Sequence, residues 1–468
     1  MPKGITIVGL GPGKPGFLTV EAQQVLRAAP EIYLRTRKHP TVEALPSSAV
    51  VHSFDDVYER AGTFEAVYAE IASRVVALGS REEGVVYVVP GHPLVGESSV
   101  QRILAVAEQC GLPARIVAGL SFVEPVCSRL KLDALAGLQI ADATELALLH
   151  YPPFNPDLPV LVGQLYSRDL AADVKLVLMM LYPDDHQVTL IGAAGTEDEI
   201  ARSISLYELD RSPQIDHLTS LYVPPLLEAG SLQAFQEVVS HLRAPEGCPW
   251  DREQNHRSLR PFLLEETYEV LQALDSDDTS SLKEELGDLL LQILLHTQIA
   301  IEQGEFQMAD VVSHIVTKLI RRHPHVFGEV RVSGAEEVLA NWEQIKNEES
   351  GQDEARLGPS AVPLSLPALA RAQTLQRRAT RRGFDWPDAD SMWRQLEAQW
   401  QGFREAETAD AQGTQFGELL LGLSTMASGL GIDAESVLRE AVARWEKHFH
   451  QSHGDAVTDP KQVLGGGP

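Results

Sequence analysis

A multidomain chain is predicted, α/β in its first half and all-α in its second, and three observations predict it. Residues 1–225 alternate short apolar runs ending in glycine with helical stretches, the pattern of layered strands and helices. Residues 235–345 instead carry apolar residues at helical spacing, interrupted by two short acidic clusters. Residues 367–452 repeat that helical pattern with most of the acids gone. At 468 residues the chain exceeds what one core supports, so several domains are expected.

The N-terminal strands are read from ITIVGLG, VVYVVPG, ARIVAGL, ELALLH, PVLVGQL and VTLIGAAG. VKLVLMMLY at 174–182 suits a buried strand or a short helix. Gly9, Gly11 and Gly13 follow the first strand, where backbone amides can approach a ligand closely or simply make a tight turn. Pro12 interrupts this loop, so it is not a dinucleotide fingerprint. A second loop offers Pro90, Gly91, His92, Pro93 and Glu97, and a third places Gly119 and Ser121 after another strand.

These three loops, in order, resemble those of the tetrapyrrole (corrin/porphyrin) methylases. The resemblance runs over residues 3–225. It implies two α/β subdomains with a cleft for S-adenosylmethionine between them. It also implies cofactor contacts from Gly9, Gly11, Gly13, the Pro90–Pro93 loop, Glu97 and the region of Ser121. YLRTRKHP at 33–40 and SFDDVYER at 53–60 resemble the subgroup fused to a nucleotide hydrolase. Lys14 stands where such proteins commonly carry an Asp.

Residues 226–234 read as a short linker. Beyond it, Glu265-Glu266-x-x-Glu269 and Glu285-x-x-Asp288 each sit in an apolar helical stretch. Residues three apart share a helix face, so Glu266 lies beside Glu269, and Glu285 beside Asp288. Two such helices packed together would gather four carboxylates inside an apolar bundle. Their mutual repulsion calls for a hard divalent cation, Mg²⁺ or Mn²⁺.

The stretch 231–349, with CPWDREQ, FLLEETYEVL, LKEELGDLLLQ, KLIRRHPHVFGEV and NWEQIKNEE, resembles the MazG nucleoside-triphosphate pyrophosphohydrolases. The resemblance implies Glu266, Glu269, Glu285 and Asp288 as metal ligands, Glu265 as a supporting carboxylate, and hydrolysis of an NTP to NMP and pyrophosphate. Glu265 or Glu269 could orient the attacking water. Lys318 and Arg322, four apart, with Arg321 between, offer cations for phosphates. Trp342 and Lys346, also four apart, offer an aromatic surface beside a cation. Trp250 suits either base stacking or a buried loop anchor.

A polar linker, 346–366, leads to a second helical repeat at 367–452 resembling that of longer MazG proteins. There the acid positions hold Ala398, Gln399, Gly402 and Gln415, with Glu418 alone remaining. This repeat is expected to fold without catalysing hydrolysis. The family assembles its helices from two copies, so a homodimer is expected. The tail, 453–468, is expected to be disordered.

The formal net charge of −27 argues against a broad nucleic-acid or anionic-membrane surface. Three scattered cysteines, no apolar run near membrane-span length and a strand-like start suggest a cytoplasmic protein. Two other functions are compatible with these features. One is a methyltransferase with an auxiliary helical half; the other is a sensor of nucleotide or S-adenosylmethionine without turnover.

Overall fold

The computed structural model describes residues 3–350, 362–381 and 383–453, which leaves out the tail from 454 and most of the linker 346–366. The chain divides into two compact units, Met1–Gly247 and Cys248–Pro468.

The first unit holds two five-stranded sheets. In the first, β1 (Ile5–Gly9), β2 (Glu31–Leu34), β3 (Val50–Ser53), β4 (Val85–Val89) and β5 (Ala114–Val117) run in the order β3-β2-β4-β1-β5. Every pairing is parallel. Both faces of such a sheet are covered, which is why its central strands read as unbroken apolar runs. Ile5, Ile7, Val85, Tyr87 and Val89 enter one core cluster, while Val8, Val86, Val88 and Val117 enter the other. Parallel strands bring their C-terminal ends to one edge. The loops after β1, β4 and β5 therefore meet there.

The second sheet comprises β6 (Gln139–Asp142), β7 (Val160–Gly163), β8 (Gln187–Gly192), β9 (Ile200–Ser205) and β10 (Thr219–Val223) in the order β6-β7-β10-β8-β9. Only the β6–β7 pairing is parallel. ELALLH is not a strand: Asp142 accepts from the Thr144 N–H at 2.8 Å and starts a helix, Ala143–Leu146, that takes up its first residues. The 174–182 run lies largely in the helix Arg168–Leu178, with Val174, Val177 and Leu178 buried.

The second unit is helical. Arg260–Asp275 and Thr279–Gln303 form a hairpin, turned by Asp277 in a left-handed conformation (φ 53°). The Asp278 carboxylate caps the second helix by accepting from the Ser280 and Ser281 N–H groups. Burial is graded along this helix: Leu294, Leu295, Ile299 and Ala300 are buried, whereas the acidic first half is at most half-buried. The helix Met308–Arg322 is amphipathic and buries no residue; Val311, Val312, Ile315, Val316, Leu319 and Ile320 are all exposed. Ala368–Arg381, Ala389–Glu405, Ala409–Gly429 and Ala434–His453 make up the second repeat. Arg439 on its last helix pairs with Asp275 at 3.3 Å.

Candidate metal and nucleotide site

The hairpin brings three carboxylates together. One oxygen each from Glu266, Glu285 and Asp288 lie within 4.8 Å of one another. A divalent ion coordinating oxygens at about 2.1 Å places opposed ligands about 4.2 Å apart, so the span and the all-oxygen donor set suit Mg²⁺ or Mn²⁺. Partial burial, then Asp288, Glu269 and Glu285, raise the pKa of Glu266. Glu285 is raised likewise by desolvation, then by Glu269 and Asp288. Glu269 thus adjoins the trio, while Glu265 is exposed. Among the described residues, Glu266, Glu269, Glu285 and Asp288 are each half-buried at most. Trp250 is 52% exposed and packs edge-on against Phe262 at 5.8 Å, which excludes the buried anchor.

Two of the expected phosphate-binding cations are engaged by an acid. Arg321 and Arg322 both pair with Glu349, Arg322 donating from Nε to Oε2 at 3.0 Å. Arg322 also lies over the Trp342 ring, 5.0 Å from its centroid. Lys318 is half-buried on the same helix as the arginines. Lys346 belongs to the helix Ala335–Ser350, with its side chain outside the described residues. Glu349 therefore competes with any phosphate for both guanidinium groups. Replacing it, Glu349→Gln, is expected to lower KM for an NTP severalfold with little change in kcat, a split that initial-rate kinetics would read.

In the first unit the three glycine loops stack backbone to backbone. Gly11 and Gly91 exchange hydrogen bonds at 3.2 and 2.9 Å. A Cβ on Gly9 or on Gly119 would come within 2.4 Å of the Gly91 carbonyl oxygen. These glycines are thus required by loop–loop packing, before any ligand. A cavity of about 160 Å³ opens beside them, and among the expected residues Pro90, Gly91, His92 and Glu97 line it. Gly9, Gly11, Gly13, Pro93 and Ser121 do not; Ser121 donates its hydroxyl to Glu124 at 2.6 Å. Arg35 and His39, from YLRTRKHP, also line the cavity. Arg35 donates to the buried Glu97 at 3.2 Å, and Glu97 accepts from Ser99 at 3.1 Å. The Arg35 Nε and both His39 ring nitrogens are buried without hydrogen-bond partners. Burial, with Arg35 nearby, pulls His39 down to about 4, so its ring is neutral. Unpaired polar atoms facing glycine backbones and the Phe122 ring fit a ligand of mixed polarity such as S-adenosylmethionine.

Residues 254–327 match the family described as the MazG nucleotide pyrophosphohydrolase domain, and residues 4–210 match the tetrapyrrole (corrin/porphyrin) methylases. The chain is 42% identical over 383 residues to the uncharacterized protein YabN of Bacillus subtilis (strain 168), covering 80% of this chain and 76% of that one. It is 41% identical over 225 residues to the nucleoside triphosphate pyrophosphohydrolase/pyrophosphatase MazG of Thermotoga maritima, covering 47% of this chain and 86% of that protein. It is also 41% identical over 220 residues to the nucleoside triphosphate pyrophosphohydrolase of Escherichia coli (strain K12), covering 46% and 84%. The chain belongs to the MazG family. It carries a tetrapyrrole-methylase domain ahead of the MazG part.

Two features of the MazG part escape a reading of its motifs. One is the Glu349 clamp on Arg321 and Arg322. The other is a histidine pair: His256 and His296 share a hydrogen bond between Nδ1 atoms at 2.8 Å, their rings stacked at 5.1 Å. Burial and then His256 lower the pKa of His296. In the C-terminal helices, two of the positions compared with the acids, Gln399 and Gln415, are amides that face glycines. Gln415 reaches Gly402, where a Cβ would meet its Oε1 at 2.9 Å, and Gln399 reaches Gly422.

Proposed function

We propose that the first MazG repeat hydrolyses nucleoside triphosphates to NMP and pyrophosphate with Mg²⁺, Mn²⁺ being the alternative ion. The convergence of Glu266, Glu285 and Asp288 within 4.8 Å carries this reading. In it these three hold the ion together with Glu269, and Glu265 or Glu269 orients the attacking water. Bound metal supplies charge neutralisation for the phosphates and a more acidic water. Arg321, Arg322, Trp342, Lys318 and Lys346 serve the substrate once Glu349 yields.

A homodimer completes the site in this proposal. The unburied apolar face of Met308–Arg322 supports it, since six large aliphatic side chains exposed on one helix disfavour a lone copy. Among the described residues no helix is long and apolar enough to cross a membrane.

The deciding assay is pyrophosphate release from a panel of NTPs with Mg²⁺, wild type against Glu269→Gln. Metal-dependent release of pyrophosphate with NMP, lost in the variant, is expected. No release from any NTP would remove the hydrolase reading. A second reading, S-adenosylmethionine-dependent methyl transfer by the N-terminal domain, is favoured by the unpaired Arg35 and His39 atoms in its cavity. Gly9, Gly11 and Gly13 would serve it by holding that loop in place, and Gly91 by direct approach.

A further inference from the structure

The second repeat retains only Glu418 of the acid positions, and it contains a cavity. About 390 Å³ in volume, it is lined by Gln376, Arg377, Trp386, Met392, Thr425 and Ser428, among others. A second hollow of about 260 Å³ shares Trp386, Met392 and Thr425 and extends to Gln399. Small-molecule sites span roughly 300–1,000 Å³, so this space is of ligand size.

Its walls are held in place. The Trp386 indole N–H donates to Thr380 Oγ1 at 2.6 Å, and Phe384 packs edge-on to the ring at 4.7 Å. Gln376 donates to Thr425 at 2.8 Å and accepts from Ser428 at 2.8 Å, so its amide orientation is fixed. The Gln399 Oε1 is buried and has no partner. A buried acceptor left open is costly, and it asks for a donor from a ligand. Arg377 is exposed at the rim.

A fixed aromatic ring, a buried amide acceptor and a rim guanidinium match a flat heterocycle with N–H groups and a short anionic tail. A triphosphate is disfavoured, because Glu418 is a lone carboxylate beside the second hollow and Ala398, Gln399, Gly402 and Gln415 add none for a balancing ion. We propose that the second repeat binds a nucleoside monophosphate in this cavity without turning it over. The base lies against Trp386 and Gln399 and the phosphate meets Arg377. The choice of a nucleotide rests on the pyrophosphohydrolase reading of the first repeat, whose product it would be.

Isothermal titration of the full chain carrying Glu269→Gln, in EDTA, with AMP, GMP, CMP and UMP tests this with hydrolysis and metal binding switched off. At least one of the four is expected to bind once per chain. Adding Arg377→Gln should weaken that binding at least about tenfold, as one charge-assisted contact is lost. Adding Gln399→Leu should weaken it too while leaving or raising the thermal midpoint, because it removes the unpaired acceptor. No binding by any of the four, or binding that both variants leave intact, overturns the proposal. Binding in the expected pattern, with no pyrophosphate release by the wild type, would sustain this site and sink only the hydrolase reading.

Discussion

Asp288→Asn is expected to reduce metal-dependent pyrophosphate release by at least about 10³-fold while leaving the helical hairpin folded. The neighbours of Asp288, Glu266 and Glu285, are acids whose pKa values it helps to raise, so the substitution relieves repulsion in the metal-free hairpin. The sign of the pH effect follows. Carboxyl groups whose folded pKa lies above the ordinary value stabilise the fold when protonated. That stability is lost as pH rises through the raised folded value. The metal-free protein should therefore gain in thermal midpoint as pH falls through the raised values of Glu266 and Glu285 towards the ordinary carboxylate range. Asp288→Asn should flatten that slope, and Mg²⁺ should flatten it in the wild type by neutralising the cluster. Thermal scans at several pH values, with EDTA and with Mg²⁺, read all of this. A variant whose midpoint falls sharply, or a wild type indifferent to Mg²⁺, would mean that these acids do not form a cation site.

This part of the site is legible in the sequence because it depends on local geometry. Acids three apart on a helix must share a face, and a short turn between two such helices must bring the faces together. The cation side is not legible in the same way. Lys318, Arg321 and Arg322 mark a basic helix face, but the clamp on them comes from Glu349, 27 residues beyond Arg322. Likewise no spacing rule joins His256 to His296, which are 40 residues apart.

The sheets divide along the same line. β1 and β4 are covered on both faces, so ITIVG and VVYVV announce themselves as continuous apolar runs. β6 and β9 are edge strands, QIAD and IARSIS, half-exposed and polar enough to look like loops. The apolar ELALLH misled because its first residues belong to a helix capped by Asp142, a choice made by one side chain rather than by periodicity. The glycine loops were visible, but their reason was not. Gly9 and Gly119 answer to the Gly91 carbonyl, a contact between segments far apart in the chain.

Glu97→Leu is expected to produce the largest loss of stability in the N-terminal domain, about 3–5 kcal/mol, because it strands Arg35 in a buried position. Their side chains are only 3% and 23% exposed, and the pair links residues 62 apart in sequence. Burial raises Glu97, and Arg35 with the Ser99 hydroxyl opposes that rise. Ser99 in turn bonds Tyr87 at 3.0 Å, so the loss reaches the core of the first sheet. Attraction alone does not explain such a pair, since two buried charges seldom outweigh their desolvation. The double variant Arg35→Met, Glu97→Leu should therefore recover most of the loss, as an apolar pair replaces the ionic one. Chemical denaturation of wild type, both single variants and the double variant gives the coupling directly. Pyrophosphate release should be unaffected in all of them, because the acids of the first MazG repeat lie in the other unit. Recovery of stability without recovery of S-adenosylmethionine binding would identify the pair as kept for its ligand. A double variant as unstable as Glu97→Leu would show instead that the pair itself holds the domain together.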